Sequence, residues 1–387
     1  MKVLVIHCAY QVKGGEDTVV EEEMKLMQSL GVVVSVLLFD NTKQAFFKFL
    51  QLPFNVFSYL KTRKKIKAFQ PDVVHIHNLH YAGSASVIYA AKKSKIPIVM
   101  TLHNYRLICP SAILYFDQKP FFDSLKQIFP WTAIRQGVYK NSVLLTFWVS
   151  VSMQLHQWLG TWKYCSRFIV LSSDAKQIFA ESHAHINNDR ITIKPNFCAD
   201  VLKPSLTTSD YFFYAGRLNE EKGINVLLET FSRCNYKLKI AGQGPLQEKV
   251  VDYSKRFSNI EFIGNLKKEA VLACMQSCTA LVFPSTWLEG MPLTIIEAFA
   301  CGTPVISSYI GVMRYMIREN HNGLFFEPES SSDLLSRLTK WSLLSVKEKQ
   351  LYKMNARSTY EKNYTPAVNA QQLLSIYNQA IAPKVAV

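Results

Sequence analysis

Short apolar runs alternate with longer amphipathic stretches along the whole chain. In the first half this pattern predicts buried strands at 3–6, 32–38, 73–76, 98–102, 168–171 and 191–193, and helices at 16–30, 84–93 and 174–182. The pattern then begins again, with strands predicted at 211–215, 236–240, 260–262, 280–283 and 304–307, and helices at 224–233, 269–276 and 293–300. Alternation at this spacing predicts parallel sheets that are covered by helices on both faces.

Two α/β domains of similar size follow from this repetition, each doubly wound, and we expect them to face each other across a central cleft. The predicted boundaries are 1–195, 196–365 and a C-terminal segment 366–387, whose helix we expect to cross back onto the first domain. Residues 104–165 fit the alternation poorly and predict an insertion or cap on the first domain. Open α/β sheets bind ligands beyond the carboxyl ends of their strands, so the cleft is the expected site.

The composition narrows the class of protein. Of the 387 residues, 49% are hydrophobic and 19% charged, which excludes a disordered or low-complexity chain. Forty-four Lys and Arg against 29 Asp and Glu give a net charge of +15, and residues 1–195 carry +11 of it (23 against 12). This excess predicts an anionic partner, for which nucleic acid, anionic lipid and phosphorylated small molecules are all candidates.

The cysteines and apolar stretches indicate the compartment. The eight cysteines are scattered, and the pair Cys274 and Cys278 lacks a second pair at zinc-like spacing, so we expect reduced thiols in a cytosolic protein. The apolar start at 3–6 is too short for a signal peptide. The longest apolar stretch, 143–153, is well below the ~20 residues that span a bilayer, so we expect no membrane crossing.

The sharpest chemical signal is the segment 287–298, which follows a predicted strand and opens a helix. Glu289 lies in the loop and Glu297 on the helix, with free backbone N–H groups near Leu293 and Thr294 between them. A carboxylate, an amide cradle and a second carboxylate suit a sugar, a diphosphate and a nucleoside in that order. The alternative interpretation is an amphipathic helix that carries two solvated glutamates.

A second element at 214–223 also follows a strand and opens a helix. Arg217 and Lys222 can bracket a diphosphate, and Gly216 permits close approach of the backbone. Alternatively, this is a surface loop in which Lys222 pairs with Glu220 or Glu221. Two cations and two carboxylates at one sheet edge nevertheless favour a nucleotide-sugar site over either alternative.

With these motifs the chain resembles the family 4 glycosyltransferases, retaining sugar transferases of GT-B fold. The resemblance extends over nearly the whole chain and is carried by Gly14-Gly15, His103, Gly216-Arg217, Lys222, Gly242-Gln243-Gly244, Glu289 and Glu297. It implies two Rossmann-like domains and transfer of a hexose-type sugar from a nucleotide diphosphate sugar to a glycan or polyprenyl-linked acceptor. It also implies a bacterial surface-polysaccharide pathway, and neither a cofactor nor a metal ion.

The resemblance assigns roles as well. Arg217 and Lys222 would hold the donor diphosphate, Glu289 the transferred sugar and Glu297 the ribose, and His103 would contact the sugar. The catalytic set is then His103, Arg217, Lys222 and Glu289. The other implied donor contacts are Gly14, Gly15, Gly216, Asn265, Leu266, Gly290, Met291, Leu293, Thr294 and Thr303. Met291 replaces the commoner Phe, which is a tolerable apolar exchange.

Histidines in the first half admit two interpretations. His103 ends a predicted strand, where a lone histidine is often structural, but the resemblance favours a substrate contact. His75 and His77 alternate on one strand and could act as metal ligands. We favour packing and hydrogen bonding for this pair. The family that the chain resembles neutralises the diphosphate with cationic side chains and a helix dipole, so it needs no metal ion there.

An aromatic stretch at 46–60 runs into a basic cluster. Its candidate residues for membrane or acceptor contact are Phe46, Phe47, Lys61, Arg63, Lys64 and Lys65. Apolar rings beside cations suit an anionic bilayer surface, which predicts a peripheral protein at the inner face of the cell membrane. The alternative is a core-packing helix with a solvated basic end. No nucleic-acid-binding motif accompanies the charge, so we do not expect that partner.

Two rival functions belong to other classes. A nucleotide-sugar epimerase of the same fold should carry additional acid/base residues, which the sequence does not offer. An inactive nucleotide-sugar binder or scaffold is opposed by the presence of Arg217, Lys222, Glu289 and Glu297 together.

Overall fold

The computed structural model describes residues 1–9, 14–41, 45–117, 119–200 and 209–382. The chain divides into two compact units. The first comprises Met1–Phe116, Pro120–Pro195 and Ala367–Val387, and the second comprises Asp117–Lys119 and Asn196–Pro366. Each unit is built on its own six-stranded sheet.

Strands of the first half are β1 (Lys2–Ala9), β2 (Val33–Asp40), β3 (Val73–Ile76), β4 (Ile98–Leu102), β5 (Tyr115–Phe116), β6 (Lys119–Pro120), β7 (Arg167–Val170) and β8 (Ile191–Ile193). Six of them form a parallel sheet in the order β2-β1-β3-β4-β7-β8, and β5 pairs with β6 in a separate ribbon. The strand order reverses direction between β1 and β3. The carboxyl ends of these two strands are therefore the switch point at which such sheets bind ligands.

The described residues of the first half also form the helices α1 (Gly15–Ser29), α2 (Ala45–Leu50), α3 (Val56–Phe69), α4 (Ser86–Lys93), α5 (Asp123–Lys126), α6 (Trp131–Gln136), α7 (Val143–Trp158) and α8 (Ser173–Glu181). Local signals in the sequence begin two of them. Asp17 accepts a hydrogen bond from the backbone N–H of Gly14 (2.8 Å) and closes the first turn of α1. Asn55 accepts from the N–H of Ser58 (3.0 Å) and caps α3.

The second unit has the strands β9 (Phe212–Ala215), β10 (Leu238–Ala241), β11 (Ile260–Phe262), β12 (Ala280–Phe283), β13 (Val305–Ser308) and β14 (Gly323–Phe326). They form a parallel sheet in the order β11-β10-β9-β12-β13-β14, with the switch point between β9 and β12. Its helices are α9 (Ile224–Phe231), α10 (Gln247–Arg256), α11 (Lys268–Ser277), α12 (Leu293–Ala300), α13 (Met313–Met316), α14 (Ser331–Leu343) and α15 (Val346–Asn363). The predicted α/β class, with two doubly wound Rossmann-like sheets, is confirmed.

The last helix, α16 (Pro366–Ile381), packs against the first sheet. Leu373, Ile376 and Tyr377 are almost fully buried in the same cluster as Val3 and Val5 of β1. These apolar side chains recur at helical spacing and so form one face of α16. That face completes the core of the first unit.

Candidate active site

The switch point of the second sheet brings two predicted motifs together. Gly216 and Arg217 follow β9 directly, and Glu289 lies in the loop between β12 and α12. Gly223 lets the two loops meet, because its φ is +72° and a Cβ built there would lie 1.8 Å from the carbonyl oxygen of Pro284. No other residue type fits that position without moving the backbone.

A buried ion pair joins the two loops. The Nζ of Lys222 lies 2.5 Å from Oε1 of Glu289, and the hydroxyl of Ser285 donates to the same oxygen at 2.8 Å. Glu289 is 7% exposed. The alternative partners expected for Lys222, Glu220 and Glu221, are not used; Lys222 instead orients the carboxylate that the sequence singled out. Ser285 was missed by sequence reasoning, because a serine after a buried strand carries no distinctive signal.

A cavity of about 200 Å³ at the carboxyl ends of β9 and β10 brings other predicted residues together. Gly216, Arg217, Asn265 and Leu266 line it, together with Gly242 and Gln243. The amide of Asn265 donates to Oε1 of Gln243 at 3.3 Å. The three loops that follow β9, β10 and β11 therefore form one pocket, in which the Arg217 side chain is exposed.

Glu297 lies one turn into α12, as the sequence predicts. Its Oε1 is 3.3 Å from Nζ of Lys268, a partner that the sequence analysis did not identify, and its side chain is 15% exposed. Burial raises the pKa of Glu297 above its ordinary value, and the nearby Lys268 opposes this shift. The first-turn N–H groups at Leu293 and Thr294 have no partner within the helix, so they can face an anion.

Two residues with predicted donor contacts also have partners within the protein. Thr303 is fully buried, and its hydroxyl donates to the carbonyl of Met275 at 2.7 Å; its contact with a donor stays a prediction. The carbonyl of Met291 accepts from the amide of Asn196 at 3.1 Å, which anchors the loop before α12. Gly290 lies in that same loop between Glu289 and Met291.

In the first unit, the predicted glycine loop begins α1. Gly14 and Gly15 are exposed, and a Cβ built on either would meet no atom within 4 Å. Asp17 holds this helix start in place, because its second carboxylate oxygen lies 2.8 Å from Nε2 of the buried His7. The two glycines thus present an open helix N-terminus at the first switch point.

His103 follows β4 at the same edge of the sheet. Its Nε2 is 3.0 Å from Nδ1 of His77, and the two rings stack. Burial lowers the pKa of His103 to about 3 and that of His77 well below its ordinary value, so both rings are neutral at physiological pH. Both line a cavity of about 90 Å³ together with Asn104 and Arg106.

Glu23, His75 and His77 offer three potential metal-ligand atoms within 4.8 Å of one another. However, Nζ of Lys194 lies 2.7 Å from Glu23 and already supplies the positive charge. Both ring nitrogens of His75 have partners, the hydroxyls of Tyr377 (2.7 Å) and Thr101 (2.8 Å). This donor set fits a network of protein groups better than a metal site.

The aromatic and basic stretch divides between two helices, each of which has exposed side chains. Phe46 and Phe47 on α2 are 67% and 65% exposed, and Phe57 on α3 is 75% exposed. On α3, Ser58, Thr62 and Ile66 point inward, while Leu60, Lys61 and Lys64 continue the outward face. Arg63 and Lys65 are half-buried. The core-packing interpretation does not fit these exposed rings, but it does fit Phe49, which is 7% exposed and packs in a cluster with Tyr139 and Val149.

Among the described helices, none combines the length and apolar character that a bilayer-spanning segment requires. All eight cysteines lie in the described part of the chain and are free thiols.

Two Rossmann-like units, each with polar residues at its switch point, are typical of the GT-B fold. Two family models match: "Glycosyltransferase Family 4" over residues 13–199 and "Glycosyl transferases group 1" over residues 203–359. The chain belongs to the family 4 glycosyltransferases.

Similar proteins span most of the chain. An uncharacterized glycosyltransferase of Methanocaldococcus jannaschii, MJ1178, is 23% identical over 87% of both chains. The alpha-monoglucosyldiacylglycerol synthase of Acholeplasma laidlawii is 25% identical over 78% of this chain and 77% of its own. The crystal structure of Anabaena Alr3699/HepE in complex with UDP shares the fold, with a TM-score of 0.68 at 16% identity over 97% of this chain and 99% of that one.

Proposed function

We propose that this glycosyltransferase moves a sugar from a nucleoside diphosphate sugar to a glycan or polyprenyl-linked acceptor, with retention of configuration. The proposal rests on the Lys222–Glu289 pair and on the pocket of Gly216, Arg217 and Asn265, which belong to loops at the same edge of the second sheet. A buried carboxylate with a bound ammonium is poised to accept sugar hydroxyls next to a site for negative charge. The UDP named for the Anabaena neighbour supports a nucleotide donor.

The proposed roles of the charged residues follow from the position at which negative charge develops during sugar transfer. As the bond between the anomeric carbon and the diphosphate oxygen breaks, negative charge accumulates on the leaving phosphate. Arg217, Lys222 and the N-terminus of α12 would stabilise it, so we expect no requirement for a metal ion. The acceptor oxygen bonds to the same face of the anomeric carbon, and its proton passes to the leaving phosphate. Glu297 would accept the ribose hydroxyls.

The acceptor would bind to the first unit. The cavity beside His103 combines polar groups such as Asn104 and Arg106 with apolar side chains such as Leu52 and Val149. This mixed lining suits a hydroxyl group that is carried on a partly apolar molecule. The name of the Acholeplasma relative, a glycolipid synthase, supports a lipid-linked acceptor, and the resemblance of the motifs supports a place in surface-polysaccharide synthesis.

Contact with the membrane would bring the enzyme to such an acceptor. Phe46, Phe47 and Phe57 are exposed on the helices that also carry Lys61 and Lys64. Rings that enter the headgroup region and cations that meet anionic lipids reinforce each other. A peripheral position at the inner face of the cell membrane is therefore part of the proposal.

Thermal stabilisation by UDP, GDP, ADP and CMP tests the donor site. A nucleotide at 100 times its dissociation constant should add about 2.7 kcal/mol to the stability of the native protein. We expect one nucleotide to raise the melting temperature of the wild type and to have a much smaller effect on Glu297→Ala.

Glu261→Ala provides the matched control, because Glu261 is exposed and also pairs with a lysine, Lys239, at 3.2 Å. This variant should respond to the nucleotide as the wild type does. Equal responses of Glu297→Ala and wild type would contradict the assignment of Glu297. No response of the wild type to any nucleotide would contradict the donor site itself.

A further inference from the structure

A buried polar network lies behind His103, and the proposed reaction does not use it directly. Glu23 of α1 is 3% exposed and Lys194, which follows β8, is 1% exposed. The Nζ of Lys194 donates to Glu23 at 2.7 Å and to Oδ1 of Asn369 on α16 at 3.2 Å. Two buried opposite charges are tolerated when they neutralise each other and find further hydrogen bonds, as they do here.

The charge of Glu23 is therefore fixed. Burial alone would raise the pKa of Glu23, but the charge and hydrogen bond of Lys194 outweigh it and hold that pKa below its ordinary value. An ionised carboxylate accepts hydrogen bonds and cannot donate them. A group that hydrogen-bonds to Oε1 of Glu23, the oxygen that Lys194 does not bind, must therefore be a donor.

His77 faces that carboxylate with Nε2, at 3.5 Å from Oε1 of Glu23. At this distance the interaction is electrostatic rather than a close hydrogen bond, yet its sign is unambiguous. A neutral imidazole has one protonated nitrogen. The tautomer that places N–H at Nε2 is attracted to Glu23, whereas the other tautomer would direct a lone pair at a negative charge.

The tautomer of His77 determines the direction of its hydrogen bond with His103. If Nε2 of His77 has the proton, its Nδ1 can act only as an acceptor, and the group 3.0 Å away is Nε2 of His103. His103 must then donate from Nε2, which leaves its Nδ1 without a proton. Among the residues that the structure describes, no hydrogen bond reaches Nδ1 of His103, and its ring lines the 90 Å³ cavity.

We propose that Glu23 and His77 are positioning residues that set the tautomer of His103, so that Nδ1 of His103 offers a lone pair to a substrate hydroxyl. Lys194 keeps Glu23 charged. The inference rests on the proposed function for the identity of the hydroxyl, which belongs to the transferred sugar or the acceptor. An unprotonated Nδ1 of His103 favours substrates with a hydroxyl that can donate to it. An analogue in which hydrogen or fluorine replaces this hydroxyl would be a poor substrate.

Nuclear magnetic resonance of the substrate-free protein, labelled with ¹⁵N-histidine, tests the tautomer without any assay of transfer. Two-bond ¹H–¹⁵N correlations distinguish protonated from unprotonated ring nitrogens, and His103→Gln identifies the signals of His103. We expect Nε2 to be protonated and Nδ1 unprotonated in the wild type. Protonation at Nδ1 of His103 would overturn the proposal whatever the enzyme transfers.

Two substitutions at His77 extend this test. His77→Phe keeps a ring of similar shape but removes the acceptor, so both tautomers of His103 should appear. His77→Gln can donate to Glu23 and accept from His103 through one amide, so it should restore the wild-type tautomer at least in part. An unchanged His103 spectrum in His77→Phe would contradict the relay.

Kinetics then separate positioning from packing. We expect kcat of His77→Phe to fall about tenfold, with partial recovery in His77→Gln. His75→Phe is the matched control, since His75 is equally buried on the same strand and contacts Glu23 but not His103. Equal losses of kcat in His75→Phe and His77→Phe would indicate packing alone and overturn the positioning role. Absence of transfer by the wild type would contradict the proposed function and leave the tautomer result standing.

Discussion

Both units contain a lysine–glutamate pair near a switch point, but the two pairs have different surroundings. In the first unit, Glu23 and Lys194 are almost completely buried and surrounded by further protein partners. In the second unit, Lys222 is 16% exposed and its partner Glu289 is 7% exposed. The pair of Lys268 and Glu297 is more open, with exposures of 46% and 15%. The same ion-pair chemistry is therefore enclosed in the first unit and partly accessible in the second, where we propose that it contacts the donor.

The largest expected effect comes from breaking the buried pair. Lys194→Met leaves the Glu23 carboxylate without its counter-ion, which should destabilise the protein by about 3–5 kcal/mol. Urea denaturation followed by circular dichroism would measure this loss. The control is Lys268→Met, because Lys268 also pairs with a glutamate but is 46% exposed, and its loss should cost less than about 1 kcal/mol. Similar losses for both variants would show that the two units do not differ in this way.

Removing the Glu289 carboxylate, which we propose contacts the transferred sugar, should affect catalysis more than stability. In Glu289→Gln, kcat/KM for sugar transfer should fall about a hundredfold or more, the usual scale for one preorganised electrostatic contact. Initial rates of product formation would measure it. Glu221→Gln is the matched control, because Glu221 neighbours Lys222 in sequence but accepts its hydrogen bond from Asn219. A transfer rate of Glu289→Gln equal to that of Glu221→Gln would contradict the role of Glu289.

The pH dependence of stability should have opposite signs for the two units. The pKa of Glu23 is lowered, so its contribution to stability is present above its ordinary value of 4.5 and is lost as pH falls through the folded-state pKa. The pKa of Glu297 is raised by burial, so its contribution is present below 4.5 and is lost as pH rises through the folded-state pKa.

Melting temperatures of wild type, Glu23→Gln and Glu297→Gln from about pH 3 to about pH 7 would measure these contributions, because that of Glu23 is lost below 4.5. The stability advantage of wild type over Glu23→Gln should shrink as the solution is acidified. Glu297→Gln should gain on wild type as the pH rises. Parallel curves for the two variants would contradict the difference between the units.

The sequence predicted the elements and the loops that carry the candidate site, because both depend on local patterns of apolar and polar residues. Buried strands such as β3 and β12, and the helix α12 that begins at Leu293, have the predicted bounds, because apolar runs and punctuating residues determine them locally. The positions of Glu289 and Lys222 at one sheet edge follow from the same logic. Their direct contact could not be predicted, since it depends on how two loops 67 residues apart approach each other.

Helix α7 shows why residues 104–165 resisted interpretation. Its small polar side chains, among them Thr146 and Ser150, are fully buried, whereas Leu144 is 80% exposed and Phe147 is 42% exposed. Thr146 and Ser150 satisfy their hydroxyls on backbone carbonyls four residues earlier, so burying them costs little. Prediction from periodicity assumes that the apolar face of a helix points inward, so it fails for a helix whose small polar side chains are buried.

The exposed aromatic side chains offer a last, smaller test of the difference between the units. Phe57→Ser should weaken binding to vesicles that contain phosphatidylglycerol by roughly 1 kcal/mol, about fivefold, because one ring no longer enters the interface. Lys64→Gln should have a similar effect on these anionic vesicles and little effect on neutral phosphatidylcholine vesicles, since each surface cation contributes ~1 kcal/mol to the attraction. Leu343→Ser removes an equally exposed side chain (81%) from the second unit and should leave vesicle sedimentation unchanged. If Leu343→Ser and Phe57→Ser weaken binding equally, the membrane contact is not a property of α2 and α3, and the exposed rings of the first unit need another partner.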